Sequence, residues 1–292
     1  MDKFETLFEK YNCRLSDEAV KSEVANLLST KMQENSNAEV YKQCLNMIDL
    51  TSLNSTDTRD EIHIMVNKVN QFQANYPGLP DVGAICVYPT MVPVVRNHLS
   101  RPIGIASVAA GFPSSQTYIE IKIAETSMAV MEGASEIDVV ISIGEFLSGN
   151  YELVHEELQE IKSACRDAHL KVIIESGHLG SASNIKKASV LSMAAGADFI
   201  KTSTGKMPVA ATPEATYIMC QAISEWYKNT GLKVGYKPAG GIVSTDDAVM
   251  HYTIVKEVLG EEWLNNKLFR IGASRLANNL LTSILGKETK YY

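Results

Sequence analysis

The chain has 292 residues, 45% of them hydrophobic and 21% charged, with a formal net charge of −7. That length suits one large domain, such as an α/β barrel of about 250 residues, with enough apolar material for a full core. The acidic balance gives no reason to seek nucleic acid, no run approaches the roughly 18 apolar residues of a membrane helix, and MDKFETLFEKYNC lacks the apolar centre of a signal peptide, so a cytoplasmic protein with no membrane or nucleic-acid partner is expected.

The first 45 residues carry two amphipathic segments, around 2–11 and 17–33, expected to form a helical extension. Short apolar runs then alternate with longer segments of helical periodicity. The runs are 46–51, 82–87, 103–108, 137–141, 171–175, 198–203, 233–237 and 268–272. Continuous apolar runs suit parallel strands covered on both faces. Among the intervening helices, 117–133 and 151–168 place apolar residues three and four apart, and Gly133 and Gly196 sit where a helix should stop. A helix over 213–227 should start with Thr212 as cap and Pro213 in its first turn, and one over 245–259 with Thr245 or Asp246 near its cap. The crossover near 89–100 must be short, because Pro89 and Pro93 interrupt it. Eight such units predict a closed (β/α)8 TIM barrel over 46–285, followed by a frayed polar tail over 286–292. The five cysteines (Cys13, Cys44, Cys86, Cys165, Cys220) and six histidines are scattered without ligand spacing, which predicts reduced thiols and no metal.

In such a barrel the site lies at the C-terminal ends of the strands. Those ends carry Asp49 and Thr51, Cys86, Asp138, Glu175, then Lys201, Ser203 and Thr204, then Lys237. Charges inside apolar runs are costly unless paired, and two lysines with two aspartates can pair. A desolvated lysine beside a second cation loses its proton more easily, and a neutral amine attacks carbonyls to form a Schiff base. The plainer reading is that each lysine snorkels to solvent. Gly240-Gly241 and Gly272-Ala273-Ser274 follow strands seven and eight, a recurrent phosphate site in these barrels; alternatively they only permit tight turns.

The segments IDLTSLN (48–54), AICVYP (84–89), EIDVVI (136–141), ADFIKTSTGK (197–206), GYKPAGGI (235–242) and FRIGAS (269–274) together resemble the deoxyribose-phosphate aldolases, class I aldolases on a TIM barrel, over roughly residues 46–285. The resemblance implies that Lys201 is the Schiff-base lysine, Lys237 its perturbing neighbour and Asp138 the proton relay. It also implies that Asp49, Thr51 and Cys86 line the site, and that Thr204, Gly205, Gly240, Gly241, Gly272 and Ser274 serve substrate binding, the glycines and Ser274 at the phosphate. The implied reaction is reversible cleavage of 2-deoxy-D-ribose 5-phosphate to acetaldehyde and D-glyceraldehyde 3-phosphate, with no cofactor and with self-association allowed. Another Schiff-base aldolase, a transaldolase-like barrel or a non-catalytic sugar-phosphate binder are the alternatives. Tyr292 matches a C-terminal tyrosine that some relatives bring to the site for proton transfer. The chain departs from the family at Val243, where arginine is frequent, at Arg275, where a small polar residue is common, and at His178, where glutamate is usual. Either Arg275 supplies the phosphate cation that position 243 lacks, through its planar fork of donors, or it is a solvated residue opening the last helix while backbone N–H groups hold the phosphate unaided.

Overall fold

A computed structural model describes residues 3–292. The chain begins with α1 (Lys3–Lys10), α2 (Asp17–Lys31) and α3 (Ala38–Asn46). The first two occupy the expected amphipathic segments. The third lies in a stretch expected only to lead into the first strand. Asn37 caps it by accepting from the Glu39 and Val40 amides, and Val40, Cys44 and Leu45 are buried.

Strands and helices then alternate: β1 (Ile48–Thr51), α4 (Arg59–Asn75), β2 (Ala84–Val87), α5 (Val92–His98), β3 (Gly104–Val108), α6 (Ile119–Met131) and β4 (Glu136–Val140). They continue as α7 (Ile143–Leu147), α8 (Tyr151–Cys165), β5 (His169–Ile173), α9 (Ala182–Ala194), β6 (Phe199–Lys201), α10 (Pro213–Thr230), β7 (Gly235–Lys237), α11 (Thr245–Leu259), β8 (Ile271–Ala273) and α12 (Leu276–Leu285). Neighbouring strands pair in parallel in the order β7-β6-β5-β4-β3-β2-β1-β8, and bridges from Tyr236 to Phe269 and from Ala239 to Gly272 join the two ends. The result is the (β/α)8 barrel that the alternation predicts.

Local chemistry sets the helix starts. Thr212 accepts from the Ala215 amide and Pro213 opens α10, as expected. The cap of α11 is Ser244 rather than Thr245 or Asp246. A reciprocal cap needs an acid three residues on, and Asp247 stands three after Ser244, so each side chain takes the other's amide. The crossover after β2 is short: a single 3-10 turn over Pro89–Met91 and then α5, with both prolines in first turns, where a missing N–H costs nothing. The outward strand residues, among them Ile137, Val139, Val172, Ile200 and Tyr236, are fully buried against the helices. Burying each such aliphatic side chain contributes about 1.5–3 kcal/mol.

The C-terminal residues depart from the expected frayed tail. The Asn278 side chain accepts from the Tyr291 and Tyr292 amides at 2.8 and 2.9 Å, and the Tyr291 hydroxyl donates to the Lys68 carbonyl at 2.7 Å. The Tyr292 ring stacks on Phe72 with centroids 5.5 Å apart. Phe72 lies in the last turns of α4, which starts at the mouth after β1 and runs away from it, so this contact is at the closed end of the barrel. Removing Tyr291 and Tyr292 should therefore lower unfolding free energy by about 1.5–3 kcal/mol, seen as an earlier denaturant midpoint, with turnover per folded molecule unchanged. Slowed proton exchange on acetaldehyde at unchanged stability would instead support the proton-transfer role that the resemblance implies for Tyr292.

Candidate active site

Side chains alternate along a strand, so every second residue points into the barrel. Here that alternation brings Asp49 of β1, Glu136 and Asp138 of β4, Lys171 of β5, Lys201 of β6 and Lys237 of β7 inside, with Arg270 just before β8; all are buried. A TIM-barrel interior is normally filled by layers of Val, Ile and Leu. This one holds a connected column of charge. Lys201 Nζ and Lys237 Nζ both lie 2.7 Å from Asp138 Oδ2, and Lys237 also donates to Asp49. Lys171 Nζ lies 3.0 Å from Asp49 Oδ2 and 3.4 Å from Asp138 Oδ1, and it pairs with Glu136 as well. The Arg270 fork ends the column, with Nη1 2.6 Å from Asp49 Oδ1 and Nη2 2.8 Å from Glu136 Oε1.

Long side chains fit inside so narrow a barrel because some facing positions have none. A Cβ on Gly272 would stand 3.2 Å from Lys237 Cε and 2.8 Å from the Ala239 methyl. Gly272 is thus required by the stem of the perturbing lysine, whatever else it does.

The column holds four basic side chains (Lys171, Lys201, Lys237, Arg270) and three carboxylates (Asp49, Glu136, Asp138). It is electrically neutral only when one base gives up its proton. Burial pushes the Lys201 ammonium down and Lys237 pushes it further, against the upward pull of Asp138; the net shift is downward. Burial acts the same way on Lys237 and Lys171, but the carboxylates beside them outweigh it and raise both. Burial pushes the Asp138 and Asp49 carboxyls up, yet the lysines, with Arg270 at Asp49, hold both well below the usual range. Lys201 is therefore the one lysine of the column whose proton is held less tightly than usual, and it sits 2.7 Å from the Asp138 carboxylate.

Above Lys201 opens a cleft of about 300 Å3, lined by Thr51, Thr204, Gly205 and Lys206 together with Gly240, Gly241, Gly272, Ser274 and Arg275. The expected binding residues thus converge, and Val243 lies among them without a donor to offer. Asp49, Asp138, Lys237 and Cys86 are not on the cleft wall; they are sealed within the barrel. Gly240 has φ +85°, and a Cβ there would stand 2.6 Å from the Ala210 methyl, so main chain comes to the surface at this point. The first turn of α12 follows Ser274 and Arg275, and helix N-termini attract anions. The lining includes Lys201, Lys206 and Arg275 and no carboxylate. The cleft is a cationic spot on an acidic chain.

Glu175, noticed as a strand end, takes the Thr204 hydroxyl at 2.6 Å and holds that residue at the cleft. It lies in the left-handed region, at φ 49°. Lys171, Glu136 and Arg270 escape an inspection confined to strand ends, because they lie one or two layers deeper. The available signal is the period of two: Glu136 precedes Asp138 and Arg270 precedes Gly272 by two residues, and Lys171 breaks an apolar strand. His178 is exposed and outside the cleft.

A parallel barrel whose mouth combines a buried amine, an adjoining carboxylate and an anion cleft has the design of a Schiff-base aldolase. The comparisons agree, since the model of the DeoC/LacD family of aldolases matches residues 44–261, and the chain belongs to that family. It is 41% identical over 266 residues to deoxyribose-phosphate aldolase of Homo sapiens, covering 86% of this chain and 82% of that protein. The Bos taurus enzyme of the same name is 41% identical over 261 residues, covering 84% and 80%. Among solved structures, an aldolase designated QR15 is 28% identical with a TM-score of 0.67, over 83% of this chain and 97% of that one. A structure described as the tetrameric deoxyribose phosphate aldolase of Aeropyrum pernix is 24% identical with a TM-score of 0.66, over 88% and 96%.

Replacing Lys237 with Leu removes a cation that disfavours the charged form of Lys201. The Lys201 pKa should rise by about one unit or more, so activity falls at neutral pH and recovers in part at high pH. A pH–rate profile checks this; an equal loss at every pH would mean that Lys237 acts in another way.

Proposed function

We propose that this chain is a carbon–carbon lyase that reversibly cleaves 2-deoxy-D-ribose 5-phosphate to acetaldehyde and D-glyceraldehyde 3-phosphate. The observation that carries the reading is the buried Lys201 amine, its pKa pushed down by burial, 2.7 Å from Asp138 at the floor of a cationic cleft. Family membership and the two vertebrate aldolases at 41% identity support the substrate.

In this reading Lys201 Nζ attacks the aldehyde carbon of the open-chain sugar, and loss of water leaves an iminium. The hydroxyl on C3 gives up its proton, the C2–C3 bond breaks, and its electron pair moves into the iminium to form an enamine. Glyceraldehyde 3-phosphate departs. Protonation of the enamine carbon and hydrolysis then release acetaldehyde and return the free amine. Asp138, through a water, moves the protons at carbinolamine dehydration and enamine protonation. Lys237 keeps Lys201 neutral, and Asp49 holds Lys237 from below. Thr51, Thr204 and the glycines at 205, 240, 241 and 272 shape the cleft for the sugar phosphate, with Ser274 and Arg275 at the mouth of α12. Cys86 packs behind the reacting amine.

The barrel over 46–285 is the catalytic domain in this proposal and 1–45 its helical extension. Self-association belongs to the same reading, supported by the tetramer described for the Aeropyrum protein. Five buried, unpaired thiols suit a reducing cytoplasm. Among the described residues no helix is long and apolar enough to cross a membrane.

Borohydride with acetaldehyde should alkylate Lys201 by reduction of the iminium, and peptide mapping should find Lys206 and Lys237 unmodified. An adduct mainly on either of those would displace Lys201 from its role.

Arg275 stands on the cleft wall, with no ion-pair partner among the described residues, and Val243 opposite it has no donor. Changing Arg275 to Ala should cost about 1.5–3 kcal/mol of binding or transition-state free energy with the phosphorylated sugar and nothing with 2-deoxyribose. Kinetics on the two sugars measure the difference; equal effects on both would remove Arg275 from the phosphate site.

A further inference from the structure

We infer that Glu136 and Arg270, at the closed end of the barrel, are positioning residues that set the protonation state of Lys201 through the charges between them. The inference rests on the Schiff-base reading of Lys201 and extends it to two residues that substrate cannot reach, since neither lines the cleft.

Three observations carry it. The first is connectivity. Arg270 donates from Nη1 to both Asp49 and Glu136 and from Nη2 to Glu136, so the pair is wired into the column rather than closed on itself. From Asp49 the contacts pass to Lys171 and Lys237, from these to Asp138, and from Asp138 to Lys201. The second is the count. Lys171, Lys237 and Arg270 match Asp49, Glu136 and Asp138 one for one, leaving Lys201 as the surplus base. Take away Glu136 and the remaining six groups are more positive by one; take away Arg270 and they are more negative by one. The third is space. A Cβ on Gly104 would stand 2.7 Å from Glu136 Oε1, and one on Gly83 would stand 3.3 Å from the Arg270 side chain. Gly104, on the strand beside Glu136, thus leaves room for that carboxylate in the barrel interior, where an apolar layer is usual, and Gly83 adds space beside Arg270.

Interactions in a dry interior are weakly screened, so a charge three or four contacts away is still felt. The groups that face Lys201 are Asp138 from β4, Lys237 from β7 and Cys86 from β2. Asp49 of β1 and Lys171 of β5 stand one contact further out. Glu175, at the end of β5, is occupied by Thr204, and Lys206 donates to the Leu53 carbonyl across the mouth. Glu136 and Arg270 form an opposed pair that can be altered without touching Lys201, Asp138 or Lys237 directly.

The test uses two isosteric or near-isosteric changes of opposite sign, Glu136→Gln and Arg270→Gln, in the full-length protein. The readout is the pH dependence of Lys201 alkylation by acetaldehyde and borohydride, with the modified peptide identified at each pH. Removing the carboxylate makes the column more positive, lowers the Lys201 pKa and moves the acid limb of the profile to lower pH. Removing the guanidinium does the reverse. The expected displacement is on the order of half a unit each way, less than the roughly one to three units of a charge in direct contact. The double variant should return the limb to its original position, and Arg270→Lys, which keeps the charge, should leave it there. A single variant that does not fold is read in trimethylamine N-oxide, which favours the compact state. A purely structural role for the pair would lower the amount of folded protein and leave every limb in place, and that result, or displacement of both in one direction, overturns the inference. Alkylation of a lysine other than Lys201 in the unaltered protein would overturn the Schiff-base reading itself, which keeps the two failures apart.

Discussion

Seven ionisable side chains share a barrel interior that water does not enter, and a dry interior tolerates charge only in pairs. The rest of the site follows from that constraint. Each carboxylate is held by at least two bases; for Asp49 and Asp138 this lowers the pKa, and the carboxylates in turn raise those of Lys171 and Lys237. Four bases against three acids leave one amine without a claim to its proton. The amine at the open end of the column holds its proton least tightly, because it faces one carboxylate while the others face two or more. Reactivity at the mouth is in this sense a consequence of crowding on the axis.

The two halves of the site use different physics. Below Lys201 the contacts are ion pairs between side chains on short strands, three residues long at β6, β7 and β8, where main-chain pairing fixes every Cα. Above it the wall is glycine-rich loop and the start of a helix, and its positive character comes from Lys206, Arg275 and the helix terminus rather than from a buried network. A change in the lower half should alter protonation, and one in the upper half should alter which anion is held.

Much of this was legible in the sequence, and the exceptions have physical reasons. The eight strands were visible because two-sided burial demands unbroken apolar runs, and the helix over 245–259 because its periodicity is strong; its cap was misplaced by one residue because serine and threonine stand side by side there. Lys201, Lys237 and Asp138 were visible as charges at strand ends. The deeper partners were not, since a lysine at 171 or an arginine at 270 looks the same whether it faces the axis or solvent, and only the register decides. The short helix α3 was missed because a nine-residue segment ahead of a strand offers little periodicity to read. The C-terminal residues GKETKYY were read from polarity alone; what orders them is Asn278, thirteen and fourteen residues back from the amides it receives, together with the ring of Phe72.

The loops around the cleft are tied to one another before any substrate arrives. Lys206 reaches from the loop after β6 to the Leu53 carbonyl after β1, the Ala211 amide donates to the Gly240 carbonyl, and the Asn279 side chain donates to the Val243 carbonyl. Such cross-ties link the segments after β1, β6, β7 and β8 into one rim. A phosphate entering it has little chain to order, so the entropy of loop closure does not weigh against its capture. Discrimination must then come from shape and charge already present, which places the burden of selectivity on the width of the socket. An acceptor aldehyde longer than the natural one then has room to extend only outward past the rim unless these ties are broken.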